Sequence, residues 1–452
     1  MENLINRIVF EIGCPDEDQA FGLRHKLSQT LQHELTAGID HICEKHKTKK
    51  PVRIPNLALD LGEFNAHTFD RHILDVLLHR FEEALVVQLK ELDIHEHEGD
   101  NVPSQLESLF HFLETGQLAW WESGNSTDFN QYFLHYLKSR EQEVLRFLKR
   151  HEENDRLWNR ISLQFGPEVH EKLVKKTPSL LQSSNLISKW AKAISEALDL
   201  KSQTATPQLI NKLVVGQRVA INGLHQLEER SMQLFKTHMK ELVQKIQTPH
   251  RSTIAQIIEM LVGKVAEANE GGTSKRWLPR QEAHGDQDTF RSDHGGAVLL
   301  CQFLKPLFKN LGFYEDGKWK EGDSQAKAAH LVNYMCTGET QAPEHGLTLE
   351  KLLCGLPLNA PIPLDAKLSE AELQEADLLL ASIIEHWQVL KNTSISGLQH
   401  TFLRRESKLS QKGSHWNIYL ERKTEDVLLD KLPWGYSIII LPWNDYQIYV
   451  EW

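Results

Sequence analysis

The sequence lacks the features that mark secreted, membrane-spanning and disulfide-linked proteins. No run of about 18 apolar residues occurs, so we expect no membrane span. Residues 1–7 lack the basic flank, apolar core and cleavage site of a secretory signal peptide. The five cysteines are scattered and form no Cys-x-x-Cys pair, a pattern typical of reduced thiols. These absences predict a cytoplasmic protein.

The charge balance and composition predict an ordinary globular protein. The net charge of −11 comes from 62 acidic and 51 basic residues, whereas nucleic-acid-binding surfaces are basic. We therefore expect no nucleic-acid partner. A hydrophobic content of 40% allows sizeable cores, and 452 residues suit about two or three domains.

Known catalytic and phosphate-binding motifs are also missing from the sequence. It contains no Gly-x-x-x-x-Gly-Lys-Ser/Thr loop and no Gly-x-Ser-x-Gly elbow. Gly295-Gly296 follows no clear strand, so it gives little support for phosphate binding. We predict no catalytic residue and no cofactor, which makes assembly or binding the stronger functional class.

Twenty-three histidines make metal binding the main chemical alternative. Cys43 and His46 lie one helical turn apart, but a zinc site needs three or four ligands and no second pair supplies them. Other histidine and aspartate groups are weaker candidates, namely His67 with His72, His95 with His97, and Asp286, Asp288 and Asp293. We predict no metal site. An enzyme or effector built on the histidine-rich helices stays open as an alternative.

The first 95 residues alternate between strand and helix patterns. Apolar residues alternate within 7–12, and a four-residue apolar spacing from Leu23 to Ile39 predicts a helix. A second strand is expected after Pro51, with a bulge near Pro55, before a helix from Phe69. This predicts a β-α-β-α unit over 1–95.

Two strands are too few for a stable sheet, so further strands must come from elsewhere. The best candidates in the sequence are residues 416–421, 436–441 and 447–452. We infer that the two ends of the chain share one sheet.

The remaining chain predicts a mostly helical α+β protein. Residues 96–270 form a helical region in this interpretation, 271–293 a polar linker and 294–452 a C-terminal α+β module. From Ile221 to Ile246 the apolar spacing is close to 3.5, which fits either a coiled coil or packing within the chain. Self-association through helices or terminal strands therefore stays open.

Tryptophan marks the last 21 residues, where two Leu-Pro-Trp turns bracket Ser437–Ile440 and the chain stops on Trp452. Either a packed terminal strand or a partner-docking edge accounts for this composition. We predict six tryptophans as structural or partner anchors: Trp120, Trp121, Trp387, Trp434, Trp443 and Trp452.

Several phrases occur in a characteristic order along the chain. They include Leu57-x-Leu59-Asp60-Leu61-Gly62, Phe112-Leu113-Glu114-Thr115-Gly116-Gln117-Leu118, Gly295-Gly296-Ala297-Val298-Leu299-Leu300, Pro343-Glu344-His345, Lys351-Leu352-Leu353-Cys354-Gly355-Leu356-Pro357, Glu385-His386-Trp387, and the two Leu-Pro-Trp turns. On these phrases the chain resembles the tape measure proteins of contractile injection systems, the phage-tail-like particles with which bacteria puncture target cells. Ala119 departs from the pattern, since the family typically has proline there.

The resemblance implies a non-enzymatic role in setting the length of the inner tube, from inside its lumen. It also implies contacts with tube and baseplate subunits, and assembly in the cytoplasm. A fully helical chain of 452 residues would reach about 680 Å. Prolines interrupt the helical region, however, so an assembly scaffold or a baseplate or cap component without a ruler role is the alternative.

Overall fold

The computed structural model describes the chain in separate stretches and divides it into two compact units. The stretches are residues 5, 8, 35–46, 54, 57–62, 69–95, 105–119, 127–197, 207–216, 289–320, 324–390 and 393–452. The units are Met1–Glu107 and Ser108–Trp452. The described residues are mostly helical, with a small mixed sheet near the end of the chain.

The first unit contains a packed helix pair, α1 (Thr36–Lys45) and α2 (Phe69–His95). Leu35, Ile39 and Leu77 are buried between these segments, and Leu61 packs against them. Helix α1 overlaps the end of the predicted helix that carries Leu23 to Ile39 and continues beyond it, and α2 begins at Phe69, where the second helix was predicted. Residues 57–62 form no strand, and the strand expected at 7–12 lies almost entirely outside the described residues, so the β-α-β-α unit is not confirmed.

The helices of the middle region have 10 to 20 residues, and five of them begin at a capping side chain or a proline. They are α3 (Gln105–Thr115), α4 (Phe129–Ser139), α5 (Glu141–Arg150), α6 (Asp155–Gln164), α7 (Pro167–Lys176), α8 (Pro178–Ala197) and α9 (Pro207–Gly216). Asp128 caps α4 and Asn154 caps α6 through side-chain bonds to backbone N–H groups. Proline opens each of α7, α8 and α9, because its missing N–H costs nothing in a first turn. The predicted helical stripe at 221–246 lies outside the described residues.

The C-terminal segment combines helices with short strands. In chain order it contains β1 (Thr289–Ser292), α10 (Cys301–Asn310), β2 (Tyr314–Glu315), β3 (Lys318–Trp319), α11 (Ser324–Thr337), α12 (Thr348–Leu353), α13 (Glu370–His386), α14 (Ile395–Leu398), β4 (Ser407–Lys412), β5 (His415–Leu420), β6 (Ile438–Ile439) and β7 (Gln447–Glu451). Strand β1 occupies residues that the sequence assigns to the linker. The four-part domain division otherwise stays a prediction.

Five strands form one mixed sheet in the order β1-β4-β5-β7-β6. Strands β5 and β7 are parallel, and the other neighbours are antiparallel. Alternate residues of β5, including Trp416 and Ile418, face the core, as do Ile448 and Val450 of β7. All five strands come from residues 289–451, so the described part of the chain shows no N-terminal strand in this sheet.

The structure does not confirm tryptophan-rich strands at the end of the chain. Strands β5 and β7 match the predicted segments, but β6 contains only two residues. Trp434, Trp443 and Trp452 lie outside the strands. The prolines explain this result, since each Leu-Pro-Trp segment ends ladder pairing and turns the chain.

Gly296 shows why two glycines open the apolar segment after β1. A Cβ atom at Gly296 would lie 1.7 Å from the carbonyl oxygen of Phe402, so only glycine fits there. Gly295 N–H donates to the carbonyl of Arg405 at 2.7 Å. The pair therefore serves close backbone packing. The expectation that no strand precedes it is wrong, because β1 ends three residues earlier.

Candidate functional site

Three charged side chains are fully buried together in the second unit. Arg160 lies on α6, Glu344 opens a 3₁₀ turn, and Lys351 lies on α12; all three have an exposed fraction of 0%. We call these three residues the charge cluster. Buried charges are tolerated only when they are paired and hydrogen-bonded, so every polar atom here needs a partner.

Arg160 supplies the cluster with a fork of donors. Its Nε donates to Glu344 Oε2 at 2.9 Å, and its Nη2 donates to Glu344 Oε1 at 3.0 Å. Its guanidinium also donates to three backbone carbonyls, those of Leu113 (2.7 Å), Glu114 (3.3 Å) and Asn359 (2.6 Å). This bidentate geometry is the strongest arrangement for a carboxylate and a guanidinium.

Lys351 donates a third hydrogen bond to the Glu344 carboxylate. Its Nζ donates to Glu344 Oε1 at 2.8 Å and to the carbonyl of Leu358 at 3.1 Å. Burial lowers the pKa of Lys351 to about 8, although Glu344 pulls it upward. Gln117 joins the network, accepting from Thr348 Oγ1 at 2.8 Å and donating to the same Leu358 carbonyl at 3.1 Å.

Gly116 allows the chain to pass next to the charge cluster. Its φ of +76° is in the left-handed region that favours glycine. A Cβ atom there would lie 2.1 Å from Glu344 Oε1 and 2.8 Å from Arg160 Nη2. Any side chain would therefore displace the ion pair itself.

The charge cluster joins the middle helices to the C-terminal segment. Arg160 and Glu344 are 184 positions apart in sequence. Around them, Gln164 accepts from the N–H of Glu344 at 3.0 Å and donates to the carbonyl of Ile362 at 2.6 Å. Three of the sequence motifs that resemble the family meet here, namely those that contain Gly116, Glu344 and Lys351. Their shared role in this structure is to hold two distant segments together.

His345 lies beside the charge cluster in an aromatic pocket. Its ring packs edge-on against Phe112 and Phe129 at centroid distances of 5.8 and 5.5 Å. Neither ring nitrogen has a hydrogen-bond partner. Burial, with a smaller effect from Lys351, lowers the pKa of His345 from 6.5 to about 4. The folded protein therefore holds this imidazole neutral.

We expect His345 to make the second unit less stable in acid. A depressed folded-state pKa means that the stability is complete above about pH 6.5 and is lost as the pH falls towards 4. The loss should reach about 3 kcal/mol at pH 4. In His345→Leu, the free energy of unfolding should fall less steeply between pH 6.5 and 4 than in the wild type. Urea denaturation at several pH values measures both slopes.

A second histidine variant controls for general acid effects. His400 is exposed, so His400→Leu should keep the wild-type slope. Other buried histidines, such as His170 and His330, also have lowered pKa values because of burial, but they act equally in all three proteins. If the free energy of unfolding fell equally steeply with pH in His345→Leu and in the wild type, His345 would not be the source of the acid sensitivity.

Three of the predicted tryptophan anchors bind backbone carbonyls within the second unit. Trp387 is 1% exposed and donates to the carbonyl of Leu428 at 3.3 Å. Trp434 donates to Leu299 at 3.1 Å, and Trp443 donates to Leu353 at 2.8 Å. Their contacts are thus intramolecular, and a role in binding partners stays a prediction. Trp120 and Trp121 lie outside the described residues.

Trp452 is anchored by a second buried ion pair. Arg405 donates to both carboxylate oxygens of Asp426 at 2.7 Å, and Trp452 Nε1 donates to Asp426 Oδ2 at 2.9 Å. The Arg405 guanidinium lies 5.3 Å from the centre of the Trp452 ring, a cation–π distance. Burial raises the pKa of Asp426, but the bonds from Arg405, Lys423 and Trp452 lower it overall.

The structure places the metal candidates in other roles or outside the described residues. His46 Nε2 pairs with Glu82 at 2.7 Å, and Lys45 binds the same carboxylate oxygen at 2.6 Å. Within the described stretches, no group of three or more histidine, cysteine, aspartate or glutamate residues is arranged to hold a metal ion. Cys43 is a partly buried free cysteine that packs against the core of the helix pair. The side chains of the remaining candidate residues are not described, apart from Asp293. None of the described helices has the length and apolar character that crossing a bilayer requires.

Comparison with known proteins assigns the chain to a class and then to a family. It is a protein of a contractile injection system, a phage-tail-like particle. Within that class it belongs to the contractile injection system tape measure protein family, whose model matches residues 2–452. No curated protein and no solved structure matches the chain.

Proposed function

We propose that this chain sets the length of the inner tube while the particle assembles, and that it does so without catalysis. The observation that carries the proposal is the family match over residues 2–452. In this proposal the protein assembles in the cytoplasm, lies inside the tube lumen, contacts tube and baseplate subunits, and leaves with the particle. The folded second unit would anchor one end of the ruler.

An assembly scaffold or baseplate component is the second candidate, and the helix lengths favour it. Helix α8, the longest described helix of the second unit, has 20 residues and spans about 30 Å. Helices α4–α9 are short and share one compact unit with the C-terminal sheet. A scaffold would be abundant in assembly intermediates and missing from mature particles, which mass spectrometry of purified particles can measure.

We expect an insertion in the segment 221–246 to lengthen the tube. That segment carries the predicted helical stripe, and every described partner of the charge cluster lies outside it. Twenty-eight added residues should lengthen the tube by about 42 Å if they are read as helix. They should add about 92 Å if they are read as extended chain. Electron microscopy of isolated particles measures the length.

An insertion of the same size elsewhere in the chain tests whether added residues at any position change the length of the tube. The turn at Gly317, between β2 and β3, is exposed, and no atom lies within 4 Å of a Cβ atom placed there. The same 28 residues inserted in this turn should leave the tube length unchanged. Equal lengths for the wild type and the 221–246 insertion would rule out the ruler role and leave the scaffold.

A further inference from the structure

The five-stranded sheet buries one face and exposes the other. On β5, Trp416 and Ile418 face the core, while Tyr419 is 43% exposed. On β7, Ile448 and Val450 face the core, while Tyr449 is 37% exposed. Since side chains alternate along a strand, the exposed residues share a single surface, which we call the outer face.

One side of the outer face is apolar and aromatic. Ile438 of β6 is directly opposite Tyr449 of β7 in the register, so their side chains are neighbours. Ile438 is 61% exposed and the following Ile440 is 68% exposed. With Tyr449 they place three large exposed side chains at the β6 edge, while Tyr419 lies on the central strand β5. Clustered exposed apolar groups mark interaction sites more often than single ones do.

The other side of the outer face is cationic. Arg291 of β1 is opposite Lys408 of β4, and Lys408 is opposite Tyr419, so all three lie on the outer face. Lys412 lies on the same face at the end of β4. Glu451 is the single carboxylate within the described strands of this face, while Glu406 and Glu421 are exposed just beyond them. Within β1 and β4, therefore, the outer face carries three cations and no carboxylate, on a chain whose net charge is −11.

We propose that the outer face is a docking surface for an acidic protein surface on another subunit of the injection particle. Carboxylates of the partner would pair with Arg291, Lys408 and Lys412, while its apolar groups would pack on the β6 side. The proposal rests on the proposed function, which places the chain among particle subunits. A second copy would offer this face three carboxylates, Glu406, Glu421 and Glu451, together with the same three cations, so it matches the face less well than an acidic partner does.

A photo-crosslinking residue at Tyr419 in the full chain tests the proposal. We expect p-benzoylphenylalanine at this position to crosslink to one particle subunit during assembly, in a peptide rich in aspartate and glutamate. The triple variant Arg291→Glu, Lys408→Glu, Lys412→Glu should reduce that crosslink at least tenfold. Higher ionic strength should also reduce it, because salt screens exposed charges.

A second triple variant separates this surface from a general change in charge. Lys305, Lys309 and Lys318 are exposed and lie outside the five-stranded sheet, so replacing all three by glutamate should keep the crosslink. A crosslink to a second copy of the chain, to nucleic acid or to a protein outside the particle would overturn the proposal. The absence of any crosslink from correctly folded protein would also overturn the proposal. The 221–246 insertion reports on tube length alone, so the two proposals fail separately.

Discussion

Glu344→Gln should destabilise the second unit by about 3–5 kcal/mol, the cost of leaving a buried charge without its partner. Glu344 is the single carboxylate among the three members of the charge cluster, and its oxygens accept from Arg160 and Lys351. Glutamine keeps the shape of the side chain but leaves two cations facing each other. Urea denaturation of the full chain at pH 7 measures the loss.

Lys351→Met is the matched control inside the same cluster. It removes one cation and leaves the neutral pair of Arg160 and Glu344, so we expect a loss below about 1.5 kcal/mol. The Leu358 carbonyl still accepts from Gln117 in that variant. Outside the cluster, Lys172→Met removes an exposed pair with Glu168 and should cost about 0.5 kcal/mol or less. A loss for Lys351→Met equal to that of Glu344→Gln would show that packing, and not charge balance, governs the site.

Trp387→Ala should cost about 3–5 kcal/mol of folding free energy, the range for removing a fully buried large aromatic side chain. The indole packs 4.8 Å from the Phe402 ring and 6.4 Å from the Trp434 ring, so a large cavity would open in the C-terminal core. The same denaturation experiment measures the effect.

Trp387→Phe separates packing from the hydrogen bond. Phenylalanine fills most of the space but cannot donate to the Leu428 carbonyl, so we expect a loss of about 1–2 kcal/mol. If Trp387→Ala cost no more than this, the side chain would not act as an anchor of the core.

Local signals in the sequence predicted much of the fold. The prolines that interrupt the predicted helical region coincide with the starts of α7, α8 and α9, and the predicted segments 416–421 and 447–452 match β5 and β7. Strand β1 was missed because Thr289–Ser292 is short and polar and follows a turn-rich segment. Its pairing with β4 makes it a strand, and that pairing joins Ser292 to Ser407 across more than a hundred residues.

The charge cluster has no local pattern from which it could be predicted. Arg160 lies on a helix with ordinary amphipathic spacing, and Glu344 follows a proline in a loop. Pairing between them depends on tertiary packing. The one signal in the sequence was indirect, since the family phrases around Gly116, Glu344 and Lys351 are ordered along the chain but give no hint of their contact. The tryptophan anchors, in contrast, were proposed from residue type alone, and their role as partner anchors stays a prediction.

The strand order has a consequence for synthesis of the protein. Strand β7 is the last of these five strands in sequence, yet it lies between β5 and β6 in the sheet. Until residue 451 has left the ribosome, β5 has an open edge and β6 has no neighbour. The nascent chain therefore carries an incomplete apolar sheet until β7 emerges, a condition that favours aggregation.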